Sequence, residues 1–345
     1  MTPRPATFAI PGDIDRKTGG YIYEKSLLHA LRDQGRRVAH LELPGSFPDA
    51  PPGDMAAAVA ALNAVPAGEA LILDGLVCGS IDTAGLARVA APLVAMIHHP
   101  LGLETGLPPA RAAELLRREA ANLALARHVV VPSPHTARIL ATDFGVASDR
   151  ISVALPGFAA PDPLRAPTDP PLILAVGLIA ARKGHDVLIA ALSRIVDLPW
   201  QAQIVGGPHD ENVAAALAAQ ARPLGPRLTF RGGMEADDLA ALYQQASLFA
   251  LATRYEGYGM VFGEALLHGL PIVTCAAGAV PETVPPGAGI LVPVDDAAAF
   301  AEALRRLLTD HRLRRSMAEA STAAGHLLPR WSDTAAVMGR VLDAL

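Results

Sequence analysis

Short apolar segments alternate with helix-compatible segments along the whole chain. The apolar segments consist mainly of Val, Ile, Leu and Ala without regular polar interruption. This pattern is typical of strands that are buried on both faces of a parallel sheet. The segments between them are rich in Ala, Leu, Arg and Glu, which favour helices. The predicted strands are Ala6–Pro11, Arg37–Leu43, Ala70–Asp74, Leu93–Ile97, His128–Pro132, Arg150–Ala154, Leu172–Val176, Gln201–Val205, Arg227–Arg231, Leu248–Leu251, Ile272–Cys275 and Ile290–Val292.

The alternation occurs in two series and predicts an α/β protein with two doubly wound, Rossmann-like parallel-sheet domains. A proline-rich segment between the series disfavours a helix or a central strand, so we interpret it as a semi-rigid linker. Its prolines are Pro161, Pro163, Pro167, Pro170 and Pro171. We therefore expect an N-terminal domain over residues 1–165 and a C-terminal domain over residues 166–330. Residues 331–345 are predicted to form a final helix with Ser332 as its N-cap.

The composition excludes several classes of protein. Of 345 residues, 51% are hydrophobic and 18% are charged, which excludes a disordered chain. The formal net charge of −5 argues against a nucleic-acid-binding protein. Cys78 and Cys275 are too few and too far apart for a disulfide framework or a CxxC metal site. Because we identify neither a signal peptide nor an apolar run of about 18 residues, we expect a cytoplasmic protein.

Several common nucleotide and hydrolase motifs are absent from the sequence. The first predicted strand is followed by Pro-Gly-Asp-Ile-Asp, where a dinucleotide-binding protein would carry GxGxxG. The segment 177–184 resembles a phosphate-binding P-loop, but Arg182 replaces the second glycine and neither Ser nor Thr follows Lys183. The sequence also lacks HExxH and GxSxG. It therefore offers no support for metal-dependent hydrolysis or serine acyl transfer.

The most informative segment follows the predicted strand Leu248–Leu251. Gly257 and Gly259 precede a predicted helix that runs from near Gly259 to Gly269, and a helix start behind glycines at a strand end favours anion binding. Glu256 lies in the loop and Glu264 in the second helical turn. Two carboxylates beside a phosphate site favour a ligand with hydroxyl groups, such as a ribose or a sugar. The alternative is that Glu256 caps the helix and Glu264 lies on a solvated face.

A second candidate segment follows the predicted strand Leu172–Val176. Arg182 and Lys183 lie in the turn that enters a predicted helix over His185–Val196. Adjacent cations at the carboxyl edge of a parallel strand suit a diphosphate, because Arg can bind two oxygens at once while Lys acts as a point charge. The alternative is a pair of solvated cations on the protein surface.

These motifs together resemble a known family. The sequence Glu-Gly-Tyr-Gly-Met-Val-x-x-Glu-Ala, with Glu256 and Glu264, is similar to the E-x7-E signature of GT-B glycosyltransferases of retaining family 4. Further similarities are the turn from Gly177 to Lys183-Gly184, the segment Gly278–Glu282, the Gly19-Gly20 loop and the terminal helix that begins at Trp331. The resemblance extends over essentially the whole chain.

The resemblance implies a GT-B fold whose two domains face each other across a cleft, with the terminal helix packing back toward the N-terminal domain. The C-terminal domain would bind a nucleotide-diphosphate sugar, and the N-terminal domain would bind an acceptor that the sequence does not identify. The implied catalytic residues are His98, Glu256, Arg182 and Lys183. The implied donor-binding residues are Gly19, Gly20, Gly177, Arg182, Lys183, Glu256, Gly257, Tyr258, Gly259, Met260, Val261 and Glu264.

The resemblance also implies individual roles. Arg182 and Lys183 would bind the diphosphate, Glu264 the ribose hydroxyls, and Glu256 the hydroxyls of the donor sugar. His98 would reach the donor sugar, which would be transferred with retention of configuration and without a metal. The sequence departs from the family at two positions: Leu178 replaces a common Arg, for which Arg182 would compensate, and Tyr258 replaces a Phe.

Other functions remain open from the sequence. The same architecture serves sugar-nucleotide epimerases and phosphorylases, and a non-catalytic protein could retain the nucleotide-sugar site. His98 could be a structural hydrogen-bonding residue. Together with the adjacent His99 it could suggest a metal site, but the sequence offers no third ligand nearby at a useful spacing. Ser133 could line the cleft or cap a helix opened by Pro134. Peripheral membrane contact through Arg111, Arg117, Arg118 and Arg127 is an alternative to a solvated helix face.

Overall fold

The protein is described by a computed structural model that covers residues 3–160 and 165–345. Pro161 and Pro163 of the predicted linker lie outside the described residues. The chain divides into two compact units, one formed by the residues up to Gly157 together with Pro329–Leu345, and one formed by Phe158–Leu328. The division lies before the expected boundary near residue 165, because Phe158 already packs against Gly263 and Tyr258 of the second unit.

The first unit contains a six-stranded sheet in which all neighbouring strands are parallel. The strands are β1 (Ala6–Pro11), β2 (Val38–Leu43), β3 (Ala70–Asp74), β4 (Leu93–Met96), β5 (His128–Val131) and β6 (Ile151–Val153), in the order β2-β1-β3-β4-β5-β6. Its helices up to β6 are α1 (Gly19–Asp33), α2 (Pro52–Asn63), α3 (Gly75–Cys78), α4 (Thr83–Leu86), α5 (Pro109–Leu125) and α6 (Pro134–Asp143).

The second unit repeats this architecture with a second parallel six-stranded sheet. The strands are β7 (Leu172–Val176), β8 (Gln201–Val205), β9 (Leu228–Phe230), β10 (Leu248–Leu251), β11 (Ile272–Cys275) and β12 (Gly289–Val292), in the order β12-β11-β10-β7-β8-β9. Its helices are α7 (His185–Ser193), α8 (Glu211–Ala221), α9 (Ala236–Gln245), α10 (Met260–Leu267), α11 (Val280–Thr283), α12 (Ala297–Thr309) and α13 (His311–Gly325).

The strand prediction is confirmed for all twelve segments, with ends that differ by one residue at most. The agreement has a simple cause, because strands such as β3, β7 and β10 are buried along their whole length and therefore read as continuous apolar runs. Apolar side chains from the helices pack on both faces of each sheet and form the cores. The expectation of two doubly wound α/β domains is therefore confirmed.

The terminal helix α14 (Trp331–Asp343) packs on α1 within the first unit. The Tyr23 ring contacts the Trp331 ring edge-on at 5.4 Å between centroids, and the buried Arg36 guanidinium lies 2.9 Å from the Asp343 carboxylate. The prediction of Ser332 as the N-cap is wrong, because the helix already includes Ser332 and its N-cap lies two residues earlier. Arg330 occupies the cap position, and its backbone N–H donates to the Asp333 carboxylate. Ser133 does cap α6, since its hydroxyl accepts a hydrogen bond from Thr136 N.

Candidate functional site

The candidate site of the second unit lies at a reversal in the order of its strands. β7 and β10 are neighbours in the sheet, and the strands that follow each of them extend toward opposite edges. In open α/β sheets, ligands bind in the crevice beyond the carboxyl ends of two such strands. In this unit the turn 177–184 follows β7 and the loop 252–259 follows β10, so the two segments chosen from the sequence meet at that crevice.

The turn after β7 has a conformation that requires glycine at its end. Gly184 has φ of +63°, and a Cβ at this position would lie 1.9 Å from the carbonyl oxygen of Ala252. The turn therefore packs directly on the start of the loop after β10. A Cβ built on Gly177 would lie 3.3 Å from Cδ of Lys183, which shows that the lysine stem runs over this glycine.

Lys183, Arg182 and Glu256 form a partly buried ion cluster. Lys183 Nζ lies 2.7 Å from Glu256 Oε1, and one guanidinium nitrogen of Arg182 lies 3.5 Å from Glu256 Oε2. That guanidinium nitrogen also donates to the carbonyl of Tyr255 at 2.9 Å, and the hydroxyl of Thr253 donates to Glu256 Oε1 at 3.0 Å. The two cations therefore point toward the glycine-containing loop rather than into bulk solvent.

The cluster keeps Glu256 ionised. Burial of this carboxyl, which is 5% exposed, acts to raise its pKa, but the charges of Lys183 and Arg182 and the hydrogen bonds from Lys183 and Thr253 outweigh burial and lower the pKa. The interpretation of Glu256 as a helix cap is wrong, since Gly259 occupies the cap position of α10 without a side-chain hydrogen bond.

The backbone around Glu256 is fixed by the segment that precedes and forms α11. Gly278 has φ of +56°, and a Cβ there would lie 2.3 Å from the Glu256 carbonyl oxygen. Ala279 N donates to that carbonyl at 2.9 Å, and the Thr283 hydroxyl donates to the carbonyl of Tyr258 at 2.7 Å. The Gly278–Glu282 motif thus has a structural role, because it holds the loop that carries Glu256 and Tyr258.

Helix α10 begins at Met260, as the sequence predicts, with Gly259 as N-cap at φ of +84°. The first N–H groups of a helix have no partner within the helix, so they form a positively polarised site for an anion. In α10 these groups have no side-chain cap. Gly257 is half-buried in the loop before this helix start, and Val261 is half-buried in the first turn.

Glu264 is held by Tyr243, an aromatic residue that the sequence interpretation missed. Its Oε2 accepts a hydrogen bond of 2.8 Å from the hydroxyl of Tyr243 on α9, and burial raises its pKa. Tyr243 is 2% exposed and stacks on His268 with ring centroids 5.0 Å apart. Glu264 is half-buried, so the interpretation as a residue of a solvated face is wrong. No local pattern marks Tyr243, because only the packing of α9 on α10 brings it to Glu264.

The remaining predicted residues meet in the first unit. Gly19 and Gly20 are the first residues of α1, and a Cβ on Gly20 would lie 3.6 Å from Cδ2 of His98, which follows β4. His98 does have carboxylate neighbours, contrary to the expectation from sequence. Glu24, Asp74 and His98 bring one potential ligand atom each to within 4.8 Å of one another. Asp74 could have been noticed from the sequence, because it ends β3 and ligands bind at the carboxyl ends of parallel strands. Glu24 could not, because only the fold places it beside Asp74.

The basic residues of α5 are largely paired within the first unit. Arg111 pairs with Asp49 and Glu114 at 2.6 and 2.9 Å, and Arg118 pairs with Glu114 at 2.8 Å. These pairs favour the solvated-face interpretation of that helix. Across residues 3–160 and 165–345, no helix has the length and hydropathy needed to cross a bilayer.

The family model described as "Glycosyl transferases group 1" matches residues 170–310. This range contains Arg182, Lys183, Glu256 and Glu264. The segment 170–310 is therefore similar to the glycosyl transferases group 1 family. The family resemblance inferred from the E-x7-E spacing is thereby confirmed.

Curated relatives of the chain include two bacterial proteins that match it over 171 and 218 residues. The chain is 32% identical over 171 residues to GDP-mannose-dependent monoacylated alpha-(1-6)-phosphatidylinositol monomannoside mannosyltransferase from Corynebacterium glutamicum, covering 47% of this chain and 44% of that one. It is 33% identical over 218 residues to D-inositol 3-phosphate glycosyltransferase from Xylanimonas cellulosilytica, covering 56% of this chain and 51% of that one. The matches therefore span about half the length of these relatives.

Solved structures with the same fold cover nearly the whole chain. Sucrose-phosphate synthase from Thermosynechococcus elongatus gives a TM-score of 0.81 at 23% identity, covering 97% of this chain and 98% of that one. Anabaena Alr3699/HepE, solved in complex with UDP and glucose, gives a TM-score of 0.78 at 17% identity, covering 99% of this chain and 100% of that one. These glycosyltransferases have the GT-B fold, and the predicted fold class is confirmed.

Proposed function

We propose that the protein is a glycosyltransferase that moves a sugar from a nucleotide-diphosphate sugar to an acceptor with retention of anomeric configuration. The observation that carries this proposal is the meeting of Lys183, Arg182 and Glu256 beside the start of α10, within the family-matched segment. A site with two cations, a helix N-terminus and two carboxylates suits a ligand that has both phosphates and hydroxyls.

The cations and the start of α10 are proposed to stabilise the leaving group. When the bond between the anomeric carbon and the diphosphate breaks, negative charge develops on the phosphate oxygen. Lys183, Arg182 and the free N–H groups at Met260 offset this charge, and they take the place of a metal ion in the proposal. A single donor aimed at such developing charge typically contributes about 10²- to 10³-fold to the rate.

The two glutamates are proposed to accept hydrogen bonds from hydroxyl groups of the donor. Glu256 is ionised and accepts hydrogen bonds only, so it suits the hydroxyls of the donor sugar while its two cations offset repulsion from the phosphates. Glu264 has one oxygen engaged by Tyr243 and one oxygen left to accept from the ribose. Gly177 and Gly257 allow close backbone approach, and backbone N–H groups of Tyr258, Gly259 and Met260 donate to the donor.

For the first unit, the proposal retains the roles that the resemblance gives to Gly19, Gly20 and His98 toward the donor. The acceptor has to be identified by experiment. Two relatives bear the names of enzymes acting on a phosphatidylinositol mannoside and on inositol 3-phosphate, so these are suitable first acceptors. GDP-mannose and UDP-glucose are suitable first donors, because one relative is named as GDP-mannose-dependent and HepE has also been solved in complex with UDP-glucose.

The proposal is tested by the thermal stability of the protein in the presence of UDP, GDP, ADP and their sugars. A ligand that binds the native state raises the melting temperature by mass action. We expect at least one nucleotide to raise it, and we expect Lys183→Ala and Glu264→Ala each to abolish the rise. Arg305→Ala is the matched control, because it removes a half-buried cation that pairs with Asp197 on the same unit, away from the proposed site. If both site variants keep the full rise, the nucleotide site is misplaced.

The transferase activity is then tested by product analysis with and without acceptor. Consumption of the sugar nucleotide with transfer to the acceptor supports the proposal. An altered sugar on the same nucleotide would show an epimerase, and phosphate-dependent release of a sugar phosphate would show a phosphorylase. Binding of nucleotide without turnover of any donor and acceptor in the panel would show a binding protein.

A further inference from the structure

A buried cluster in the first unit has no role in the proposed function beyond His98 itself. Glu24 on α1 is 1% exposed, and Asp74 at the end of β3 is 5% exposed. The carboxyls of these two residues are hydrogen-bonded to each other. Burying two carboxyl groups in contact is unfavourable, because a charged pair would repel and a neutral pair loses its hydration. Such a costly arrangement indicates a functional role.

The position of this cluster points to a ligand site. The first sheet has its own reversal of strand order between β1 and β3, which are neighbours while the chain continues to opposite edges. Asp74 ends β3, and α1 follows β1, so Glu24 and Asp74 meet at the crevice where α/β sheets bind ligands.

His98 is the third member of the cluster. Its Nε2 lies 3.4 Å from Glu24 Oε1, and within the described ranges 3–160 and 165–345 neither atom has a hydrogen-bond partner, so two unpartnered polar atoms face each other. The His98 side chain is 24% exposed, whereas Glu24 behind it is fully covered. The ring is also confined laterally, because Tyr23 contacts it edge-on at 5.0 Å between centroids and Gly20 lies on its other edge.

Asp74 supports the pair from behind. Its Oδ1 accepts hydrogen bonds from Leu76 N at 2.8 Å and Val77 N at 3.3 Å, at the start of α3. This leaves its second oxygen to share a proton with Glu24. The short helix therefore fixes Asp74, Asp74 fixes Glu24, and Glu24 faces the imidazole.

We propose that Glu24, held by Asp74, is a positioning residue whose Oε1 accepts a hydrogen bond from Nε2 of His98. A carboxyl oxygen that accepts from one ring nitrogen fixes both the orientation and the tautomer of a histidine, and Glu24 offers such an oxygen whether or not it shares a proton with Asp74. The proton of the neutral ring then lies on Nε2, and Nδ1 carries the lone pair that accepts a hydroxyl hydrogen. The use of His98 toward the donor sugar rests on the proposed function, whereas the arrangement itself does not.

The protonation states agree with this geometry. Burial raises the pKa of Glu24 to about 8, and burial together with the neighbouring Glu24 raises the pKa of Asp74 well above its usual range. Burial lowers the pKa of His98. At neutral pH the carboxyl pair therefore retains a shared proton and the imidazole is neutral. The other titratable groups that face the pair are Tyr21, Tyr23 and Cys78, and burial raises the pKa of each of them.

The test is nitrogen NMR of the full protein labelled with ¹⁵N-histidine, recorded without any nucleotide, with the His98 resonances assigned by their loss in His98→Ala. In the wild-type protein we expect the neutral tautomer with its proton on Nε2. In Glu24→Ala we expect averaged ring-nitrogen resonances, because nothing then selects a tautomer. Glu69→Gln is the matched control for a carboxyl change in the same unit, since Glu69 pairs with Thr7 and Arg37. Unchanged His98 resonances in Glu24→Ala overturn the proposal.

Glu24→Gln keeps the shape of the side chain and provides a second test if Glu24→Ala fails to fold. In the wild-type protein the His98 resonances should change near pH 8, as the pair loses its shared proton, and this change should vanish in Glu24→Gln. A change that persists in Glu24→Gln overturns the proposal. A response to Zn²⁺ in the wild type that Glu24→Gln abolishes also overturns it, because the cluster would then be a cation site.

Turnover of an active donor gives the functional consequence. Loss of a supporting partner typically reduces activity about 10- to 100-fold, so we expect this fall in kcat for Glu24→Ala with the donor KM nearly unchanged. Glu24→Gln should restore most of the rate, because its amide oxygen can still accept from Nε2. A rise in the donor KM without a fall in kcat overturns the positioning role. The NMR outcome and the nucleotide-shift experiment are independent, so failure of one is distinguishable from failure of the other.

Discussion

Single residues in this protein act mainly by fixing the charge state and orientation of a neighbour. Glu256 stays ionised although it is buried, because Lys183 and Arg182 offset the cost of burial. Glu264 and Glu24 show the opposite effect, since burial raises the pKa of each. Carboxyls with such different environments are suited to different tasks, which is typical of functional sites.

The Tyr243 hydroxyl is expected to matter for nucleotide affinity. Tyr243→Phe removes the hydrogen bond to Glu264 but keeps the stacking on His268, so Glu264 loses its fixed orientation. We expect the affinity for the best nucleoside diphosphate to fall about five- to tenfold, or ~1 kcal/mol, as measured by titration calorimetry. Unchanged affinity would remove Tyr243 from the site, and the unfolding free energy of the variant serves as the control for folding.

A pH-dependent stability is expected from Glu119 on α5, which lies outside the candidate site. Burial raises its pKa to about 8 from 4.5, and its carboxyl accepts a hydrogen bond from Leu101 N at 2.9 Å. A raised pKa in the folded state means that the contribution to stability is complete below pH 4.5 and is lost as the pH rises toward 8.

Glu119→Gln removes this titration. The free energy of unfolding of the variant, relative to that of the wild type, should therefore increase as the pH rises from about 5 to 8. The largest possible slope for one group is about 1.4 kcal/mol per pH unit. Urea unfolding at several pH values measures the difference. Parallel pH profiles for the two proteins would contradict a neutral, buried Glu119 in the fold.

At the scale of elements, the residues of the candidate site are placed by turns whose backbone conformation is fixed by close contacts. The turn before α7 approaches Ala252 so closely that only glycine fits at position 184, and the loop before α10 is held by α11. The elements themselves were predictable, because buried parallel strands such as β7 and β10 are continuous apolar runs. The meeting of Lys183 with Glu256 was predictable too, since both follow carboxyl ends of parallel strands.

Contacts made by helix faces were not predictable in this way. Tyr243 reaches Glu264, and Glu24 reaches Asp74 and His98, only through the angle and register at which helices lie on the sheets. Glu24 has no polar partner in its own helical neighbourhood that would mark it, and Asp74 is fifty residues further along the chain. The N-cap of α14 was also missed, because Arg330 is not a common capping residue.

The turn at Gly184 gives a prediction at the scale of an element. Gly184→Ala introduces a Cβ 1.9 Å from a backbone oxygen and places alanine at φ of +63°, so the turn must move away from the loop after β10. We expect a destabilisation of about 3 kcal/mol or more in urea unfolding, together with loss of the nucleotide-induced rise in melting temperature. Gly207→Ala is the control, because its Cβ meets no atom within 4 Å and we expect about 1 kcal/mol at most. Equal effects of the two substitutions would contradict the close approach.

At the scale of the whole molecule, the chain consists of two units that each have a parallel sheet and a core of their own. The terminal helix α14 belongs structurally to the first unit, although it follows the second in sequence. Its link to α1 includes the buried Arg36, which binds Asp343 and the carbonyl of Gly339. The stability of the first unit therefore depends on the last residues of the chain.

Arg36→Met is expected to separate stability from nucleotide binding. The substitution removes the guanidinium bonds and leaves the exposed Asp343 carboxylate with solvent and the backbone N–H of Arg4 as partners, so we expect a loss of about 1–3 kcal/mol in the free energy of unfolding of the first unit. The affinity for nucleoside diphosphate should stay within about twofold, since Arg36 is not among the proposed donor-binding residues and the diphosphate and ribose are proposed to bind mainly at Lys183, Arg182 and Glu264 of the second unit. Arg37→Ala, which removes an exposed arginine, should change neither quantity measurably. A large loss of nucleotide affinity in Arg36→Met would contradict this division of labour.

The central claim is that the crevice between β7 and β10 binds the diphosphate and ribose of a sugar nucleotide. A crystal structure with the nucleoside diphosphate that gives the largest thermal shift tests it most directly. The account predicts phosphate oxygens within about 3 Å of Lys183 Nζ and of the first N–H groups of α10, with ribose hydroxyls donating to Glu264. A diphosphate bound elsewhere, with Lys183 still paired to Glu256 and Glu264 in contact with no ribose, would contradict it.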